Sequence, residues 1–244
     1  MLCLFLPLCS LGQELTHQKV VTLLPTNDHH WLNIGTGIVL RNNSDYYLVT
    51  ALHVVAKTPK KFEKYWPKST IDHSYKYLHF GSEYPKIKSS FFINLVDSMT
   101  GEANYRTFSL SDKLLDIAII KLDESDSAMH FMFSKAIEIT DIDTSTELCP
   151  DQYLQVIGSS PYKTRQCNYY AMNPRNDREN PAIFKFDFEK TEIDLAGSSG
   201  GIVYRKDDFE KQTPIGILVA AADDGSFGLG IHLRFVHNLI RNWD

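Results

Sequence analysis

Apolar residues fall along this chain in short runs broken by polar or turn-forming residues, the spacing of strands rather than of helices. Lys19 to Leu24 reads as a first strand, ended by Pro25 to Asp28. Trp31 to Leu40 and Tyr46 to Thr50 flank Asn42-Asn43-Ser44-Asp45 and predict a hairpin. Tyr77 to Phe80, Phe91 to Val96 and Tyr105 to Phe108 predict further strands, and Leu115 to Leu122 a longer one. The stretch from Asp123 to Glu147 is acidic and irregular, a connector. Beyond it Leu154 to Gly158 predicts a strand, and Phe184 to Glu189 carries phenylalanine at every second position. Tyr162 to Asn180, polar and rich in Asn and Arg, reads as a surface loop. Gly201 to Tyr204 and Pro214 to Ala220 predict a hairpin around the charged turn Arg205 to Gln212. Only at the end does the period change: Leu233, Val236, Ile240 and Trp243 recur at helical spacing and predict an amphipathic helix packed on the second half.

With 244 residues, 43% of them hydrophobic, the chain is long enough for one sizeable core. A net charge of -5 without a basic stripe argues against a phosphate-tracking surface, so nucleic acid is not an expected partner. Lys57 to Lys68 mixes lysines with Phe62, Tyr65 and Trp66 and reads as a solvated loop; His29-His30 reads as an exposed loop without a metal partner. Met1 to Leu11 is apolar but shorter than the roughly 18 to 20 residues of a membrane span. Small residues at Ser10 and Gly12 predict a cleaved leader over residues 1–12 and a secreted or periplasmic protein; a buried N-terminal strand or lipid anchoring at Cys9 are the alternatives. Without the leader, Cys149 and Cys167 remain as a pair, either bridged or as two free thiols. No second close-spaced Cys or His pair is present to complete a tetrahedral metal site.

Chemistry concentrates in Asp194-Leu195-Ala196-Gly197-Ser198-Ser199-Gly200-Gly201, a serine turn between two strand-like runs. Its glycines permit backbone angles and close approaches that a side chain blocks, so such a turn can expose Ser199 while the N–H groups of Gly197 and Ser199 point at one spot. A serine hydroxyl needs a base to attack, and an imidazole, with an ordinary pKa of about 6.5, suits that role near neutral pH. Upstream stand Thr50-Ala51-Leu52-His53-Val54-Val55 and Leu115-Asp116-Ile117-Ala118-Ile119-Ile120.

In the order His53, Asp116, Ser199, these three motifs resemble those of the trypsin-like (chymotrypsin-fold) serine proteases, T-A-x-H, D-I/L-A and G-x-S-G-G. In style they are closest to the bacterial HtrA-like proteases and glutamyl endopeptidases. The resemblance implies an all-β protein of two six-stranded antiparallel β-barrels with a C-terminal helix. Residues 13–244 would be the peptidase domain: a first barrel over about 19–123, a connector over about 124–148, a second barrel over about 149–235, and a helix over about 233–243. It implies a serine endopeptidase that needs no cofactor and acts on peptide or protein, with His53 as base, Asp116 orienting it, Ser199 as nucleophile, and Gly197 and Ser199 as oxyanion donors. The run Val219, Ala220 and Ala221 would lie along the substrate beside the specificity pocket, whose floor falls to Ile193. No room remains for the peptide-binding PDZ domain that usually follows an HtrA-like core.

One departure concerns activation. Digestive trypsin-like enzymes carry an acid just before the nucleophile, whereas here Ser198 stands there, so activation by an ion pair to a new N-terminus is not expected. Ser198 is also the other candidate nucleophile. Two further readings stay open: a protease-like fold that only binds, and an esterase of another fold with its serine in a G-x-S-x-G elbow, served by Asp223 and His232 or His237. Oligomeric state is open as well.

Overall fold

β-Branched and aromatic residues in runs too short for helices give a chain made mostly of strands. The computed structural model describes residues 19–27, 30–31, 34–58, 65–67, 71–81, 92–110, 113–125, 129–145, 147–159, 167–190, 194–206, 212–222 and 224–243. The expected leader, Cys9, His29, Ile193 and Asp223 lie outside the described residues.

The first half holds β1 (Val20–Asn27), β2 (His30–Trp31), β3 (Gly35–Asn42), β4 (Asp45–Thr50), a one-turn helix α1 (Leu52–Val55), β5 (Tyr65–Pro67), β6 (Tyr77–Gly81), β7 (Phe92–Asn94), β8 (Arg106–Leu110) and β9 (Lys113–Leu122). The predicted hairpin forms between β3 and β4, closed by the pair Asn42 and Asp45, with Asn43 in the left-handed region at φ 57° that Asn tolerates. Pro25 does not end β1, which pairs with β6 through Thr26. The ladder to β3 ends at Leu23 and that to β2 starts at Thr26, so the missing N–H of Pro25 falls in the gap between them.

These strands join a ten-stranded sheet whose main path runs β5-β9-β4-β3-β1-β6-β7, with β8 on β9. Among the described residues its ladders form a half-barrel and do not close into the expected six-stranded ring. Instead, an isolated bridge between Val96 and Ala103, and the Asn104 N–H donating to the Leu95 carbonyl at 2.9 Å, join the ends of β7 and β8.

The connector is more ordered than its acidity suggests. A one-turn helix α2 (His130–Phe133) sets Phe133 on Tyr46 with ring centroids 4.2 Å apart, and β10 (Ile137–Glu138) adds to β3 in parallel. Buried Met132, Ile137, Ile139 and Ile142 hold it down.

The second half closes a barrel in the order β11-β12-β13-β16-β15-β14. Its strands are β11 (Tyr153–Gly158), β12 (Cys167–Asn176), β13 (Ile183–Phe188), β14 (Ile202–Lys206), β15 (Gln212–Ala221) and β16 (Phe227–His232). The expected surface loop over Tyr162 to Asn180 is therefore corrected: β12 occupies its middle, because Cys167, Tyr169 and Ala171 alternate inward while the Asn and Arg positions face out. Phe184 and Phe186 of β13 are fully buried in the barrel, each contributing roughly 1.5 to 3 kcal/mol by burial.

The C-terminal helix α3 (Leu233–Arg241) forms as predicted but does not rest on the second barrel alone. Its Leu233, Val236 and Ile240 enter the core that runs through both halves. Trp243 beyond it meets Tyr47 of β4, and the Arg106 guanidinium of β8 lies 4.1 Å from the Trp243 ring centre.

Candidate active site

His53 is placed by a helix of a single turn. β4 runs into α1, whose preceding residue Ala51 has no side chain to cap the helix, leaving first-turn N–H groups without intrahelical acceptors. Asp116 fills that need from β9. Its Oδ1 accepts the His53 backbone N–H at 3.0 Å, and its Oδ2 accepts from the His53 ring at Nδ1, 2.7 Å away. Asp116 sits in β9 beyond the last pair with β4, Thr50 to Ala118, where the strand faces α1. Its side chain is 5% exposed and that of His53 16%. A carboxylate only accepts hydrogen bonds, so Nδ1 carries a proton, and in the neutral imidazole Nε2 then keeps its lone pair.

The serine turn follows at the mouth of the second barrel. Gly197 and Gly200 take φ of 81° and 86°, angles that favour glycine. A side chain at Gly200 would put its Cβ 1.9 Å from the Thr36 carbonyl oxygen. The N–H groups of Ser198, Gly200 and Gly201 are used, donating to the carbonyls of Leu195, Leu218 and Ser198. Those of Gly197 and Ser199 donate to no acceptor among the described residues. Ser199 is half-buried; Ser198 is fully buried and its hydroxyl donates to the Ser159 carbonyl at 3.3 Å, which leaves it pointed away from solvent.

Histidine and serine come from different halves, and Thr36 and Thr50 join them. The Thr36 N–H donates to the Ser199 carbonyl at 2.8 Å, and the Thr50 hydroxyl donates to the Thr36 carbonyl at 2.7 Å. Thr50 stands three residues before His53. At the other end of the turn, the Tyr169 hydroxyl donates to the Asp194 carbonyl at 2.6 Å, and the Asp194 side chain accepts the Ala196 N–H. Burial raises the Tyr169 phenol above its usual range, so it stays protonated and remains a donor.

The other expected residues fall as follows. Val219 is buried in a bulge of β15 opposite β16, and Ala220 and Ala221 are half-buried at the strand's end. Past Leu218, β15 has no strand partner on its β14 side among the described residues. A disulfide between Cys149 and Cys167 is not formed: Cys167 points into the barrel core and Cys149 is exposed, so the two thiols occupy different environments. Among the described residues no group of His, Cys, Asp and Glu could hold a metal ion, and no helix is long and apolar enough to cross a membrane. Thr36, Ser159 and Tyr169 escaped the sequence reading, and Thr50 entered it only as part of the motif around His53. For Thr36 a signal existed, since Gly35-Thr36-Gly37 interrupts an apolar strand with a hydroxyl.

Similar architecture recurs in solved proteases. A thermostable serine protease AL20 from an extremophilic microorganism superposes with a TM-score of 0.56 at 9% identity, covering 89% of this chain and 92% of that one. The fold is that of the chymotrypsin-like serine proteases. A serine endoprotease from Yersinia pestis gives 0.56 at 13% identity, over 98% of this chain and 67% of that one. The HtrA-type protease AlgW, solved with a tripeptide, gives 0.54 at 14% identity, over 93% of this chain and 62% of that one. The chain thus spans about two thirds or less of the length of these last two. No family model matches the sequence, and no curated protein does. At these identities the likeness is one of fold.

Proposed function

We propose that this chymotrypsin-like chain is a serine endopeptidase with Ser199 as nucleophile, His53 as general base and acid, and Asp116 as the carboxylate that orients it. The observation that carries the reading is that Asp116 accepts from both the ring and the backbone N–H of His53. Through Thr50 and Thr36 the strand before His53 is bonded to a turn with two N–H groups that donate to no acceptor among the described residues. In the reaction the Ser199 oxygen bonds to the scissile carbonyl carbon as its proton passes to His53 Nε2. The N–H groups of Gly197 and Ser199 receive the negative oxygen, a service worth roughly 3 to 4 kcal/mol per key donor. Collapse breaks the C–N bond and the amine leaves with the proton from His53; water, deprotonated by the same histidine, then hydrolyses the ester. The free side of β15 beyond Leu218 supports an extended peptide as substrate, added as one more strand. Burial of Ser198 against Ser159 supports a turn organised without an N-terminal ion pair. The apolar composition of Met1 to Leu11 supports export.

Labelling with a fluorophosphonate tests this directly. Parent and Ser198→Ala label while Ser199→Ala does not, and the parent's rate falls as pH drops and the imidazole protonates. A folded parent that fails to label sinks the enzyme reading in favour of a binding module, and a rate flat down to about pH 4 removes His53 as the base.

A further inference from the structure

Between the two halves runs a chain of buried hydroxyls. The Thr22 and Ser159 hydroxyls lie 2.7 Å apart, the Ser159 N–H donates to Thr36 Oγ1 at 2.8 Å, and the Thr36 hydroxyl donates to the Gly197 carbonyl at 2.7 Å. With the Thr36 N–H on the Ser199 carbonyl, one residue of the first half grips the turn at both carbonyls that flank Ser198. Thr22, Thr36, Thr50, Ser159 and Ser198 are each at most 3% exposed.

The direction of each bond matters. A threonine hydroxyl has one proton, and here it goes to Gly197 because the oxygen already accepts from Ser159. The peptide between Gly197 and Ser198 is therefore fixed in orientation. The free N–H groups on either side of it, those of Gly197 and Ser199, take their aim from that orientation.

Resting on the protease reading above, we propose that Thr36 is the positioning residue of the active site: its hydroxyl clamps the Gly197 carbonyl across the interface and thereby aims the oxyanion donors. Because Thr36 lies on β3 of the first half and the turn on the second, any parting of the halves also releases the turn. Tyr169 holds the same turn from the second half, at the Asp194 carbonyl, and Ser198 holds it through Ser159, which is itself bonded to Thr22 and Thr36.

Four proteins test the clamp: the parent, Thr36→Val, Thr36→Ser and Val39→Ala, the last a cavity in the same strand with no bond to the turn. Thr36→Val keeps shape and N–H but loses the hydroxyl. Folded by circular dichroism, it labels with fluorophosphonate about ten- to a hundred-fold more slowly, the scale of a catalytic group misplaced by an ångström. On a peptide substrate the loss falls on kcat and leaves KM, and amide exchange quickens over residues 197–199. Thr36→Ser stays within about three-fold of the parent, and Val39→Ala, though less stable, labels at the parent rate.

Parent-like labelling by Thr36→Val, or an equal slowing in Val39→Ala at the same loss of melting temperature, overturns the proposal. Should Thr36→Val not fold, Thr36→Ser decides, since a ten-fold loss in a folded protein that keeps the hydroxyl contradicts the clamp. A parent that never labels removes the enzyme reading, and amide exchange then judges the clamp alone. Quickened exchange over 197–199 in Thr36→Val and not in Val39→Ala upholds it, and unchanged exchange refutes it.

Discussion

Replacing Asp116 by asparagine is the perturbation whose outcome the structure constrains most tightly. The carboxylate accepts two hydrogen bonds from one residue, the His53 backbone N–H at Oδ1 and the ring at Oδ2. Asparagine is nearly the same size but offers one oxygen and one NH2. If the oxygen keeps the backbone N–H, the NH2 faces Nδ1, takes its lone pair, and moves the ring proton to Nε2, where the base must be empty. If the amide flips, its NH2 confronts the backbone N–H and α1 loses its only first-turn acceptor from β9. Either way one bond inverts. In the serine-protease template the wrong tautomer costs about 10⁴ in kcat, which is about 5.5 kcal/mol of barrier. Stability loses far less, about the 1.5 to 3 kcal/mol of one hydrogen bond to a charged group, or roughly 3 to 12 °C in melting temperature for a chain of this size. The assay is the fluorophosphonate rate constant beside a thermal melt of parent and Asp116→Asn. Labelling within ten-fold of the parent by a folded variant would falsify the role given to Asp116.

Gly200→Ala sets a Cβ 1.9 Å from the Thr36 carbonyl oxygen and 2.4 Å from Thr50 Oγ1 at a φ of 86°, so the turn must leave β3. A melting temperature lower by more than about 5 °C and loss of labelling are expected, and a drop under about 2 °C counts against the close approach. His232 lies buried on the Phe184 ring, its Nε2 2.7 Å from Asn176 Oδ1. Burial first, then the Arg234 charge, lowers its pKa to about 4, with Asp143 opposing. The unfolded chain therefore binds the extra proton between about pH 6.5 and 4, and about 3 kcal/mol of stability present above pH 6.5 is lost as pH falls through that window. Denaturant unfolding of His232→Gln should lose this slope, and an unchanged pH dependence rejects the assignment. Iodoacetamide should modify Cys149 in the native protein and Cys167 only after unfolding, without reductant; peptide mapping that finds the two cross-linked contradicts the absence of a disulfide between them.

How far the chain can be read without its structure depends on what each residue must do locally. The β3 to β4 hairpin was legible because Asn43 serves its own turn. The pair of His53 and Asp116 was legible because each sits in a short motif whose order alone carries the match. β12 was not, since Asn and Arg on its outer face mask the inward Cys167, Tyr169 and Ala171. Pro25 read as a breaker because its fate depends on which neighbour its nitrogen faces, a property of pairing rather than of residue type. The same holds for the first sheet, where among the described residues the ends of β7 and β8 meet through the Val96 and Ala103 bridge and the bond from Asn104 to Leu95.

Thr36 shows most clearly what one-dimensional reading loses. In sequence it is a mild exception in an apolar strand, 163 residues from Ser199. In the fold its N–H, hydroxyl and carbonyl make four hydrogen bonds, to Ser199, Gly197, Ser159 and Thr50, and two of those bonds end on the serine turn. A turn with two outward N–H groups is not stable by itself, because those donors would gain by rotating toward any carbonyl nearby. What prevents the rotation is that the neighbouring carbonyls are already committed, to a partner on another sheet that cannot follow. Chemistry at the interface of two halves is thereby coupled to their docking, and the helix α3 that enters the shared core, with Trp243 and Arg106 behind it, becomes part of what holds the serine turn in shape.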